Sequence, residues 1–152
     1  MRAIYAASLI MLLLSCNAHT GNNKSVEDSV VYVTDKIQET RSNINPKPVK
    51  TYSETVKSFE TTDQFKVSLF ETKETFHYLI KISYKNLDAE DTLNVPNFGE
   101  TPSVEIVKGD KRPSCIVGFL DNNKQFRESK LIFFEGNKIE VHVLKHYGVF
   151  AK

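Results

Sequence analysis

The chain has no tryptophan, and only two cysteines and six glycines among its 152 residues. Each shortage removes a class of explanation. Cys16 and Cys115, with four scattered histidines, give no Cys/His cluster at metal-ligand spacing. The few glycines build no phosphate-cradling loop, and neither Gly-x-Ser-x-Gly nor His-Glu-x-x-His occurs. Without tryptophan the chain also lacks the usual platform for stacking sugars. Neither charge dominates: 20 Lys and Arg stand against 19 Asp and Glu. That balance gives no overall electrostatic footprint for nucleic acid or anionic lipid, and a nucleic-acid partner is excluded. Long apolar runs are missing too. The longest, Ala3 to Leu14, is interrupted only by Tyr5 and Ser8 and falls short of the roughly 20 residues of a membrane span.

What is present begins with that run. Arg2 precedes it as a short positive segment, and its length matches the apolar region of a signal peptide, about 7–15 residues. It closes on Leu13-Leu14-Ser15-Cys16, which resembles the bacterial lipobox: an aliphatic residue three before a cysteine, a small residue just before it, then the cysteine. The resemblance implies diacylglycerol on the Cys16 thiol and cleavage before Cys16, so residues 1–15 are expected to be a lipoprotein signal peptide. Two or more acyl chains hold a protein stably to a bilayer, at about 0.8 kcal/mol per buried CH₂. Removing residues 1–15 takes away Arg2 and no acid, leaving 19 charges of each sign. With Cys16 acylated, Cys115 has no partner for an internal disulfide. It lies in the apolar run Cys115–Leu120 and reads as a small buried hydrophobe rather than a reactive thiol.

Residues 16–55 read as the lipidated cysteine and a polar tether, rich in Ser, Thr, Asn and Lys, with Asn45-Pro46-Lys47-Pro48 inside it. A flexible tether from Cys16 to Lys50 has an r.m.s. span of about 30–35 Å. Val26, Val30, Val33 and Ile37 fall at roughly helical spacing, yet their β-branching disfavours a helix and fits a pairing strand equally well.

From Val56 to Lys152 the pattern has period two. Phe65, Val67 and Leu69 alternate with polar residues, and Phe76, Tyr78, Ile80, Ile82 and Tyr84 place five apolar side chains on one face. Cys115–Leu120 is apolar on both faces. Lys130–Glu135 and Lys138–Lys145 flank Gly136-Asn137, a hairpin signal. Breaks are expected at Lys73-Glu74, Asn86–Asp91, Pro96–Pro102, Gly109–Pro113 and Asp121–Lys124. Seven or eight short strands at this spacing predict one all-β antiparallel sandwich, immunoglobulin-like or transthyretin-like, with a small barrel as the rival. Ile80, Ile82, Val117, Phe119, Ile139, Val141 and Val143 are expected in its core.

No constellation predicts catalysis, a metal or a cofactor, and the expectation is a non-enzymatic protein. His19 falls in the tether, and His142 and His146 fall on one expected strand about 13 Å apart. His77 and His142 read as solvent-face residues. One loop stands out for binding. Asn94 to Pro102 carries two prolines around Phe98, which is either an exposed anchor with Asn97 and Glu100 as its polar rim, or a plug under the sandwich.

Signal peptide, tether and small sandwich together resemble, in layout alone, the lipoprotein subunits of envelope machines such as the anchoring lipoprotein of type VI secretion systems. That layout implies an envelope protein partner held near the membrane. An inhibitor or immunity lipoprotein is the alternative, and a hydrolase or small-ligand carrier a further one. Asn17-Ala18-His19-Thr20 lacks the acid that retains lipoproteins in the inner membrane, so the outer membrane, facing the periplasm, is the expected location.

Overall fold

The computed structural model describes residues 28–33 and 40–150, so the lipobox and Cys16 lie outside the described residues. Ten strands are present: β1 (Asp28–Val33), β2 (Lys50–Lys57), β3 (Thr62–Glu71), β4 (His77–Tyr84), β5 (Leu87–Asn94), β6 (Ser103–Lys108), β7 (Ser114–Leu120), β8 (Phe126–Glu135), β9 (Lys138–Val143) and β10 (Lys145–Phe150). Strands β2 to β5 form one four-stranded antiparallel sheet and β6 to β9 another. They pack as a β-sandwich, with β2 against β6 and β5 against β9.

Each sheet is a meander with its strands in sequential order. The 95–102 segment is therefore the one crossover between the two sheets. Alternation explains the core. Phe65, Val67 and Leu69 of β3 face Tyr78, Ile80, Ile82 and Tyr84 of β4 and, across the sandwich, Val117, Phe119 and Ile132, all buried. Burying one such side chain contributes about 1.5–3 kcal/mol. Ion pairs close the flanks: Lys50 Nζ to Glu105 at 2.8 Å beside β2 and β6, and Lys130 Nζ to Asp91 at 2.6 Å beside β5 and β8.

The registers sort the turns into two ends. Turns 58–61, 85–86, 109–113 and 136–137 share the hairpin end. Segments 72–76, 95–102 and 121–125 share the crossover end. Aromatic rings seal both. Tyr52, Phe65, Tyr84 and Phe134 run in edge-to-face contact at the hairpin end, with centroids 6.5, 6.0 and 4.7 Å apart. At the crossover end Phe119 lies 5.9 Å from Phe98 and 4.8 Å from Tyr147.

Several expectations need correction. The polar tether expected over 16–55 contains β1 and the first six residues of β2. Strand β2 was obscured because Tyr52, Glu54 and Val56 form its core-facing set, and a glutamate breaks the apolar pattern. The segment around Val30 and Val33 is a strand, pairing in parallel with β10 of its own chain. The break expected over Asn86–Asp91 is only the two-residue turn Lys85-Asn86; β5 runs through the rest, its Asp91 held by Lys130. Ile139 and Val141 are half-buried, and Val143 is 40 % exposed, because β5 and β10 leave a groove of about 180 Å³ beside it. The expected strand Lys138–Lys145 divides at Leu144, whose N–H donates to Ser129 O at 2.8 Å. The Gly136-Asn137 hairpin forms as expected, both residues at positive φ, 58° and 64°.

Candidate functional site

The Asn94–Pro102 loop was the expected binding element, and its three named residues are treated differently by the fold. The crossover must bring the chain from one sheet to the other at a single end, which directs Phe98 inward. Its ring is half-buried, packed on the core and tilted 43° against Phe119. Asn97, expected on an exposed rim, is only 7 % exposed, and its Oδ1 accepts the Gly99 N–H at 2.8 Å. That bond makes a turn in which Gly99 has φ 82°. Glu100 alone is exposed, 3.5 Å from Lys124 Nζ of the 121–125 turn.

The same end carries two charged staples. Arg41 has 8 % of its side chain exposed and reaches into the β3–β4 turn. Its Nη1 donates to Thr72 O at 2.9 Å and Glu74 O at 2.5 Å, and its Nη2 to Thr75 O at 2.5 Å. The guanidinium lies 4.7 Å over the Tyr78 ring. Asp121 is buried; its Oδ1 accepts the N–H groups of Asn123 and Gln125 at 2.8 and 3.0 Å, and its Oδ2 accepts Arg127 Nε at 2.7 Å. Burial pushes this carboxyl up, but the hydrogen bonds outweigh it and hold the group below the usual carboxylate range.

A titratable cluster lies between β2 and the 109–113 turn. Tyr52 Oη donates to Glu54 Oε2 at 3.0 Å, and Arg112 Nε stands 3.7 Å from Glu54 Oε1. Burial, then the Glu54 carboxylate, pushes the Tyr52 hydroxyl up to about 12, and burial pushes the Cys115 thiol to about 12 as well. Both groups stay protonated at neutral pH, so Cys115, fully buried as expected, is not poised as a thiolate nucleophile.

His19 lies outside the described residues, and the three described histidines do not converge. His77 is half-buried beside Thr72; His142 is exposed on β9 against the Phe133 ring; His146 is exposed on β10 rather than on the same strand. Among the described residues no group of three or more His, Cys, Asp or Glu side chains could hold a metal ion.

A further accessible feature is the outer face of the β2–β5 sheet, missed in the sequence. Strands β3 and β4 turn Lys66, Ser68 and Phe70, and Leu79, Lys81 and Ser83, away from the core. Phe70 and Leu79 are register partners and half-buried, an apolar pair next to the β3–β4 turn on an otherwise polar face. Lys81 Nζ lies 5.6 Å over the Phe70 ring and 3.2 Å from Glu90 Oε1 of β5. A half-open groove of about 450 Å³ is lined by Lys66, Ser68, Phe70, Lys81 and Ser83 together with Asp88 and Glu90 of β5. The readable signal was Phe70 and Leu79 as apolar residues out of phase with their strands' buried sets. A second missed residue is Phe59, fully exposed at the tip of the β2–β3 hairpin. No protein-family model matches the chain, and no curated protein or solved structure matches it significantly.

Proposed function

We propose that this protein is a lipid-anchored cell-envelope protein, held through Cys16 and facing the periplasm from the outer membrane. Its sandwich binds an envelope protein partner and fixes it near the bilayer, as an assembly subunit of an envelope complex. The address rests on Leu13-Leu14-Ser15-Cys16. The observation that supports binding is the outer face of the β2–β5 sheet. A half-open groove bordered by Phe70, Lys66, Lys81 and Glu90, with Leu79 paired to Phe70 at one end of the sheet, offers the mixed apolar and polar surface of a protein interface. Small ligands favour enclosed, largely apolar pockets instead.

The test is a photo-crosslinking residue placed at Leu79 and, separately, at the exposed turn residue Asn122, in cells that make the protein. One discrete crosslinked species from Leu79 and none from Asn122 is expected, and it should disappear with Phe70→Asp. Equal, diffuse labelling from both positions would sink the assignment of this face.

A further inference from the structure

The chain's balanced charge conceals a local imbalance. At the hairpin end, the turns with their flanking strand residues carry six cations, Lys57, Lys85, Lys108, Lys111, Arg112 and Lys138, against three acids, Glu60, Asp110 and Glu135. The loops of the crossover end, counted in the same way, carry two cations, Lys73 and Lys124, against four acids, Glu71, Glu74, Glu100 and Asp121. Lys57, Lys85 and Lys108 form no ion pair among the described residues. Lys85 lies instead 5.5 Å over both the Tyr84 and Phe134 rings. From this basic end projects Phe59, wholly in water, on a turn stiffened from within. Ser58 N–H donates to Thr61 O at 2.9 Å, Thr61 N–H to Ser58 Oγ at 3.1 Å, and Thr61 Oγ1 to Asp63 Oδ2 at 2.7 Å.

We propose that the hairpin end docks on an anionic bilayer surface, with Phe59 as the side chain that enters the headgroup region. An exposed apolar ring on an end that bears lysines suits that boundary, where the ring leaves water while the cations stay among the headgroups. Each cation near an anionic surface adds attraction that salt weakens. The course of the chain supports the orientation. Strand β10 runs from beside Glu128 toward the crossover end, and β1 runs parallel to it with Asp28 opposite Lys145. The Asp28 end of β1 therefore lies toward the hairpin end. From the Lys145 level back to Lys138 is about 23 Å of strand. The twelve residue steps from Cys16 to Asp28 reach about 40 Å when extended. A lipid on Cys16 and the ring of Phe59 can thus meet the same plane. The inference rests on the reading of Cys16 as the anchor, and tethering makes it physically adequate: a contact too weak to hold a free protein is populated at the high effective concentration that an anchor imposes.

The absence of tryptophan makes Phe59→Trp a single-reporter variant at a fully exposed position. The acylated protein, reconstituted in phosphatidylethanolamine–phosphatidylglycerol vesicles, is expected to show blue-shifted emission. A shallow doxyl-labelled lipid should quench it by roughly half. The quenching should fade at high salt, in vesicles of phosphatidylcholine alone, and with Lys85→Glu added. Solvent-like emission untouched by the doxyl lipid overturns the proposal. So does emission shielded from iodide but not quenched by the lipid probe, which would assign Phe59 to a protein partner or a second copy. Acylation is read independently from the mass of the mature chain. If the lipid is missing, the anchor reading fails, and the same emission measurement on the unacylated chain, held to the vesicles by a maleimide-bearing lipid coupled to Cys16, decides the hairpin by itself.

Discussion

Tyr84 and Phe134 come from opposite sheets and meet edge to face, with ring centroids 4.7 Å apart and planes at 63°. The pair joins β4 to β8 at the hairpin end and sits at the end of the Tyr52–Phe65–Tyr84 series. Lys85 covers both rings, so the contact is capped from outside. Burial pushes the Tyr84 hydroxyl above its ordinary value, and the Asp63 carboxylate adds to the shift, so the ring stays neutral in the physiological range.

A double-mutant cycle measures this contact. Tyr84→Leu and Phe134→Leu should each destabilise the domain in urea unfolding, and their coupling should be about 0.5–1.5 kcal/mol. Additive effects would mean that the two sheets are joined here by burial alone.

Phe98 should behave as part of the core. Its ring closes the crossover end against Phe119, so Phe98→Ala should cost about 1–3 kcal/mol, below the value for a wholly buried phenylalanine. Partner capture per folded molecule should not change. Undiminished stability with a loss of capture would restore Phe98 as an exposed anchor.

Acid stability should depend on Asp121. Its folded pKa lies below the ordinary carboxylate value, so its contribution is fully present above the unfolded value, near 3.9, and fades as pH falls through the folded one. Asp121→Asn should lower the melting temperature at neutral pH. It should also flatten the decline of melting temperature below about pH 4. A variant that tracks the parent at every pH would show that the carboxylate charge in this turn contributes nothing.

The anchor has its own test. Cys16→Ala should abolish labelling by radioactive palmitate and release the protein from the membrane fraction. Continued labelling of that variant would place the lipid elsewhere.

The sandwich was legible wherever one face of a strand is apolar throughout. Strands β3 and β4 announce themselves because Phe65, Val67, Leu69, Tyr78, Ile80, Ile82 and Tyr84 all face inward without a polar exception. Strands β2 and β5 were obscured because each turns a carboxylate inward, Glu54 toward Tyr52 and Arg112, Asp91 toward Lys130. The cations Arg112 and Lys130 lie in distant segments, and no local pattern reveals them. Val143 misled for the opposite reason: it keeps the alternation of β9 but passes the point where the other sheet covers it. The surface was harder still. The basic end is assembled from four turns scattered between Lys57 and Lys138, and only the registers gather them.

The sequential order of strands within each sheet has a temporal meaning. Chains are made and exported from the N-terminus, and contacts close in sequence form before distant ones. The β2–β5 sheet can be completed while residues after Asn94 are still emerging, leaving a half-sandwich whose open face waits for the second sheet. The β1–β10 ladder is the reverse case. It needs Asp28 and Phe150 together, so it is the last of these joints to close, and its formation marks the moment at which residues up to Phe150 have arrived.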